Sequence, residues 1–359
     1  MTRPSRAWIA LVAALLGCGG GDDENGNGTE GGGPSAVNPD GSCALPADAA
    51  LEDVSSPDHV IGDGTPESCT SERVVEAVAQ GGVITFDCGP DPIVIALEET
   101  LKIFNDTGPR IVIDGGSKVT LSGQGQRRIL YMNTCDEAQH WTTPHCDNQD
   151  HPELTVQRLS FVGGNASSEV DGGGAIFARG GRLKIIDSVF TNNTCAPVGP
   201  DVGGGAVRAF DQFDDQPLYV VGSTFGGAEG LGNSCSNGGA LSSIGVSYSV
   251  FDSVFSHNEA IGNGANPAKE GTPGGGSGGA IYNDGNTFTL TLCDVTITDN
   301  TANEGGGAIF FVSNDRTGSL AIYNSELRRN PSGQFETEGY PGIFVLARGD
   351  PTVENSIIE

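Results

Sequence analysis

From residue 154 onward the apolar positions recur at a spacing longer than any single helix or strand provides. Phe161, Phe190, Phe225, Phe255, Ile297 and Leu327 form one column, with steps of 29, 35, 30, 42 and 30 residues. Four positions before each stands Gln157, Ile186, Val221, Phe251, Cys293 or Tyr323. The position after those reads Arg158, Asp187, Gly222, Asp252, Asp294, Asn324. Asp, Asn and Gly accept left-handed backbone, so this third column predicts a turn. A second signature precedes the first. Gly-Gly-Ala-aliphatic steps stand at Gly173–Ile176, Gly204–Val207, Gly238–Leu241, Gly278–Ile281 and Gly306–Ile309, each 15 to 19 residues from its Ala to the next core residue. Asn follows three positions after the core residue in Phe190…Asn193, Phe255…Asn258, Ile297…Asn300 and Leu327…Asn330. Phe225 runs instead into Gly226-Gly227-Ala228, and Phe161 reaches Asn165 one residue late.

Self-similarity at this period predicts a solenoid. Each coil is expected to pair in parallel with the coils above and below at about 4.8 Å, so that like residues stack on like. The Phe/Ile column then becomes an internal apolar ladder, and the Asn column a ladder of side-chain amides along the axis. Gly-Gly-Ala marks a tight turn with no room for a side chain. Long steps are filled by Gly-rich insertions such as 262–278. Six regular coils and two or three irregular ones predict a rod of roughly 40 Å.

Before residue 154 the register is irregular. Short β-branched runs at 83–86, 93–97, 101–104, 111–113, 119–121 and 129–132 predict strands. Ahead of them, Glu72–Gln80 carries Val74, Val75 and Val78 on one stripe, with Thr70 or Ser71 as cap and Gly81 as stop. A short helix there suits a lid over the open end of a solenoid. The predicted fold class is therefore all-β, a single-stranded parallel β-helix solenoid with a short N-terminal capping helix. It divides as irregular first coils over 60–153 and regular repeats over 154–359.

The N-terminus reads differently. Arg3 and Arg6 precede an apolar run, Ala7–Leu16, that is too short to span a bilayer. Residues 1–17 are predicted to be a signal peptide, because Leu15-Leu16-Gly17-Cys18 resembles the lipobox of bacterial lipoproteins. The resemblance implies cleavage before Cys18 and acylation of that residue. Residues 18–59 are then a Gly/Asp-rich leash and extended linker, and the stretch Gly19–Glu24 at its start is too polar and Gly-rich to pack.

Charge and cysteine count agree with that placement. The chain has 18 basic and 46 acidic residues, a net charge of −28, which disfavours nucleic acid and anionic lipid as partners. Of nine cysteines, removing Cys18 leaves eight, an even number suited to an oxidising compartment. Cys69 and Cys88 flank one helix-plus-strand unit, Cys135 and Cys146 bracket one loop, and Cys195 and Cys235 sit in neighbouring repeats. These are candidate disulfides. Cys43 and Cys293 remain, and the sequence gives no independent reason to pair them.

The Gly-Gly-Ala-Ile and Phe-x-x-Asn pair resembles the repeat of chlamydial polymorphic outer-membrane proteins, which implies a right-handed parallel β-helix of the pectin-lyase-like type. The runs Val60–Thr65, Ile84–Gly89 and Ile111–Gly116 are similar to the first coil of many bacterial β-helix proteins. Enzymes on such scaffolds imply either clustered Asp with Ca²⁺ and a basic residue, or paired Asp with His and Lys. The Asn-Thr-Asp, Gly-His-Gly and Arg-Ile-Lys strings of the hydrolases are missing, although Arg182-Leu183-Lys184 approaches the last. Asp214-Asp215 is an adjacent pair in a loop, where solvation explains it, as it does Arg179, Arg182 and Arg208 near the repeat faces.

The sequence offers two sets of candidate metal ligands. Cys135, His140, His145, Cys146 and His151 offer Zn²⁺ ligands, but their spacing matches no standard finger and a disulfide suits the compartment better. Ca²⁺ is the other candidate, for example around Asp171-Gly172-Gly173 or Asp299-Asn300, but the strict nonapeptide of calcium-binding β-rolls is missing and structural Asn/Asp turns account for these residues better. No phosphate-loop Lys accompanies the Gly-rich stretches. The expectation is a lipid-anchored β-helix in the cell envelope, as an outer-membrane lipoprotein or at the cell surface, or else secreted. It would act as a binding, adhesion or structural module toward a glycan or surface protein, with no catalytic site evident. The alternative is a polysaccharide lyase or hydrolase on the same scaffold.

Overall fold

In a computed structural model, which describes residues 43–169 and 171–359, the repeat becomes three parallel sheets wound around one apolar core. We call them sheets A, B and C. A regular coil enters sheet A with a strand such as Arg182–Ile186, bends, and continues in the same sheet with Val189–Thr191. It passes through sheet C at Thr194–Cys195, loops outward, and returns through sheet B at Val207–Phe210. The next coil repeats the path, and every strand pairing in the three sheets is parallel.

The predicted columns are the register. Phe190 pairs with Phe161 and Phe225, Phe225 with Phe255, Phe255 with Ile297, and Ile297 with Leu327. The four phenylalanine rings stack face to face with centroids 4.6–4.8 Å apart, which is the coil spacing itself. The turn column is left-handed throughout: Arg158, Asp187, Gly222, Asp252, Asp294 and Asn324 have φ between 47° and 57°. Directly after it runs a ladder of buried serines, in which the Ser188, Ser223 and Ser253 hydroxyls each accept the amide of the preceding coil.

The asparagine ladder is more continuous than the sequence indicated. Asn193, Asn233, Asn258, Asn300 and Asn330 are linked by Nδ2–H to Oδ1 bonds of 2.9 Å. Asn233 was not read as a member, because residues 226–232 make an excursion between it and Phe225. Asn165, the late residue, pairs instead with Thr194, and Gly164 donates its amide to Asn193 Oδ1.

The Gly-Gly-Ala steps end the loops that enter sheet B. At Gly204-Gly205 the two glycines have separate reasons. Gly204 has φ 76°, while a Cβ on Gly205 would overlap the carbonyl oxygen of Gly239 one coil away. Ala206 follows and is fully buried. The helix runs Ser71–Gln80, capped by Thr70, whose hydroxyl accepts the Arg73 amide at 3.4 Å. It buries Val74, Ala77 and Val78 against the first strand of sheet B, Leu101–Ile103, covering the end of the stack.

The extended stretch before residue 60 lies against the rod. Cys43 is bonded to Cys293, and from there the chain runs back along sheet A toward the first coil. Ala49 is buried on Ile186, Val221, Phe251 and Cys293, the outward column that precedes the turn. Lys184 Nζ donates to the carbonyls of Asp48 and Ala50 and pairs with Glu52 at 2.5 Å; Glu52 also pairs with Arg110 at 2.8 Å. Further on, Asp58 accepts the Val83 amide. An outward apolar column that would otherwise be a wet stripe is thus covered by the chain's own N-terminal arm. The other disulfides are Cys69–Cys88, Cys135–Cys146 and Cys195–Cys235, the last joining adjacent coils within sheet C. Cys18 lies outside the described residues.

Candidate functional site

Charged side chains on the surface of the rod fall into two groups, those engaged with one another and those with nothing to engage. A groove of about 280 Å³ between the arm and sheet A belongs to the first group. It contains Arg182 and Lys184, the pair closest to a hydrolase string, together with Glu52, Glu153 and Tyr219. Arg182 bonds Asp150 at 2.8 Å and also Glu153, and Lys184 is held by Glu52. Glu52 titrates below the ordinary range: burial opposes that, but the bonds from Lys184 and Arg110 outweigh it. Glu52, Glu153, Arg182 and Lys184 are all paired, and the bonds of Lys184 and Glu52 tie the arm down. It is a clamp.

Several of the other residues singled out from the sequence are engaged as well. Arg179 pairs with Asp147 at 2.7 Å. Arg208 is buried in sheet B, its guanidinium on the Ser242 hydroxyl and the Asp201 carbonyl and over the Phe210 ring. The carbonyls of Gly172 and Gly173, offered above to Ca²⁺, accept bonds from Arg128 at 2.7 and 3.1 Å. Asp299 is chelated by Arg329 at 2.7 and 2.8 Å, and Asn300 is a rung of the ladder. Asp214 and Asp215 form a tight turn with φ 52° and 53°. Among the candidate zinc ligands the two cysteines are bonded to each other, His140 stacks on Phe104 and His151 on Trp141.

A second cavity differs from the groove. The excursion 226–232 pushes the chain out at the corner between sheets A and C and leaves a cavity of about 280 Å³. Asn192 lines it from one coil, Glu229 and Ser234 from the next, His257 and Glu259 from the third and Asp299 from the fourth. Asn192, His257 and Asp299 occupy equivalent left-handed positions, φ 55° to 60°, each just before a ladder asparagine. That geometry throws the three side chains outward while the asparagines point in. No described residue engages the side chains of Glu229, Glu259, Asn192 or Ser234. His257 Nδ1 is shut off from solvent and has no hydrogen-bond partner. A buried imidazole nitrogen left this way costs about 1–3 kcal/mol unless something bonds to it.

The electrostatics of the cavity are acidic with one compensated member. The Arg329 guanidinium holds the Asp299 carboxyl below its ordinary range, with the neighbouring His257 adding to the effect. Glu229 and Glu259 have no basic partner. Such a lining suits a polar ligand with several donors, such as the hydroxyls of a sugar, and it leaves an imidazole and carboxylates in reach of the same guest.

Sequence reasoning passed over this site because Glu229, His257 and Glu259 belong to no motif. The available signal was the break at Gly226-Gly227-Ala228, where a repeat kept its aromatic residue and lost its asparagine. Comparison with protein-family models, with curated proteins and with solved structures found no match for the chain.

Proposed function

We propose that this protein is a lipid-anchored, extracytoplasmic parallel β-helix that serves as a binding module at the cell surface or in the envelope. In this reading Cys18 carries the anchor and the corner cavity takes the end or branch of a glycan. The coils are of the right-handed, pectin-lyase-like type, with repeats of the chlamydial polymorphic-membrane-protein kind. The observation that supports it is the contrast between the two cavities. Glu52, Glu153, Arg182 and Lys184 in the arm groove are all paired, whereas the corner cavity presents Glu229, Glu259, Asn192 and Ser234 without side-chain partners.

A second reading, a glycan-cleaving enzyme, is favoured by one feature of the same cavity. Three carboxylates and an imidazole line it, the residue types that general acid–base hydrolysis uses. One experiment separates the two. The full chain is incubated with acidic and neutral polysaccharides, and both retention on the polymer and new reducing ends or unsaturated products are followed. Retention without products, lost in His257→Ala and Glu259→Gln, supports the binding module. Product release with the same loss supports the enzyme. Retention unchanged in both variants removes the cavity from the account. Labelling with a radioactive fatty acid tests the anchor: incorporation that disappears in Cys18→Ser is expected, and its persistence would place the anchor elsewhere.

A further inference from the structure

Sheet A has two halves. The arm lies on the half formed by strands such as Arg182–Ile186, and the half formed by Val189–Thr191 and its equivalents lies beyond the turn column. The outward residues of that second half stand in two columns in register. One runs Thr120, Ser160, Val189, Thr224, Val254, Thr296, and the other Ser122, Val162, Thr191, Ser256, Thr298. Every member is Val, Thr or Ser, in a chain with 46 acidic and 18 basic residues. Charge enters only in the next coil, at Glu326 and Arg328, and those two pair with each other. Five coil steps of about 4.8 Å make the uncharged strip roughly 24 Å long. Val189 is 38% exposed, and no described residue engages the hydroxyls of Thr120, Ser160, Thr191, Thr224 or Thr296. Ser256 is buried where the excursion 226–232 meets the strip, and its hydroxyl accepts the Gly227 amide at 3.0 Å.

Acids border this strip on both sides. The turn column, with Asp187 and Asp252, precedes it in each coil, and Asn192, His257 and Asp299 of the corner cavity directly follow Thr191, Ser256 and Thr298. A polyanion on the strip would meet like charge at both rims, whereas a neutral polymer meets no charge that it must desolvate. Each free Ser or Thr hydroxyl both donates and accepts, as the hydroxyls of a sugar do, and the Val and Thr methyl groups between them suit the C–H faces of pyranose rings. The strip holds no Trp, Tyr or Arg of the kind that anchors protein interfaces. We propose that this half of sheet A is the bed for an uncharged, extended polysaccharide chain whose end or branch reaches the corner cavity. The bed rests on the binding-module reading above, and its chemistry selects the polymer as neutral.

The test measures retention of the full chain on cellulose, on chitin and on cross-linked pectate. Thr191→Glu and Thr224→Glu place a carboxylate on the strip, and Gln334→Glu adds the same charge at an exposed loop position elsewhere. Thr224→Val keeps the shape and favours a strand, so it answers for the strip if a glutamate variant fails to fold. The expected result is retention of the wild type and Gln334→Glu on a neutral polymer. Affinity should fall at least about tenfold in each glutamate variant and about threefold in Thr224→Val. Retention lost in His257→Ala but unchanged in all three strip variants would keep the cavity and discard the bed. Retention on pectate alone would overturn the neutral polymer. Retention on none of the three polymers would also overturn the bed, and the cavity then stands or falls by the wider polysaccharide panel above. A wild-type dimer in sedimentation that Thr224→Glu dissociates would make the strip a contact between copies of the chain and overturn the polysaccharide.

Discussion

Cys43 is bonded to Cys293 across 250 residues of sequence, and the bond fastens the start of the described chain to a coil near the far end of the rod. Between them the arm returns past Phe251, Val221 and Ile186 to the first coils. Within its sheets the solenoid is a structure of nearest neighbours, each strand pairing with those of the adjacent coils. The arm's contacts are long-range, and the Cys43–Cys293 bond anchors its far end through a single side-chain pair.

Opening that bond is expected to loosen a flank without unwinding the rod. Cys43→Ser removes a cross-link whose chain-entropy value is about 2–4 kcal/mol. Lys184, Glu52 and Asp58 still hold the rest of the arm. Hydrogen exchange followed by mass spectrometry checks it. Faster exchange confined to residues 43–52 and the strands Arg182–Ile186, Leu218–Val221 and Tyr248–Phe251 is the expected pattern. Uniform acceleration through all coils would show that the arm is integral to the fold.

The asparagine ladder makes a sharper claim. Asn258 Oδ1 accepts from the backbone and side chain of Asn233 at 3.0 and 2.9 Å, and its Nδ2 donates to the Phe225 carbonyl at 3.0 Å. Asn258→Ala leaves those buried groups unpaired, at about 1–3 kcal/mol each. Asn165→Ala, one residue out of register and half-buried, loses only its bonds to the Gly125 carbonyl and from the Ser167 amide, and is expected to cost less than Asn258→Ala. Urea unfolding of the two variants compares them directly, and equal losses would contradict the ladder.

Gly205 and Gly349 offer a steric contrast. A methyl group at Gly205 would meet the Gly239 carbonyl and the Ser234 amide of the next coil, whereas at Gly349 it meets nothing within 4 Å. Gly205→Ala is expected to destabilise by about 3 kcal/mol or more, from forced separation of two coils. Gly349→Ala should melt with the wild type. Differential scanning calorimetry gives the comparison.

The turn column also predicts a pH dependence. Asp187 and Asp252 titrate above the ordinary carboxylate range: burial is the main cause, opposed at Asp187 by Arg158 and reinforced at Asp252 by Asp294 and Asp187. A carboxyl whose pKa is raised on folding binds its proton more tightly in the native state. Its ionisation therefore costs stability above the folded pKa, and the cost vanishes as pH falls below the unfolded value of 3.8. In EDTA at neutral pH, Asp187→Asn is expected to melt at or above the wild type, and the two curves should converge in acid. A variant less stable than the wild type at neutral pH would show that ionised Asp187 is stabilising.

Much of this architecture was legible in order along the chain. Repetition is a one-dimensional signal, and parallel coils turn sequence period directly into spatial register. Hence Phe190 on Phe225, the left-handed Asp252 and a short helix ended by Gly81 were all legible in the sequence, while the choice of Thr70 over Ser71 as its cap came from the structure. What the repeat does not encode had to come from tertiary structure. Asn233 rejoins the ladder after the excursion 226–232, and a fixed spacing cannot anticipate a loop of arbitrary length. Cys43 meets Cys293 because the arm follows an apolar column on the outside of the coils, and nothing local to either cysteine specifies that path. Whether a charge is engaged is likewise a three-dimensional property. Arg182, conspicuous in the sequence, is tied to Asp150, while His257, in no motif, has a shielded nitrogen with no partner. Periodicity determined the scaffold because stacked strands demand it; the sites arise where the period is broken, and only the folded chain shows what the breaks bring together.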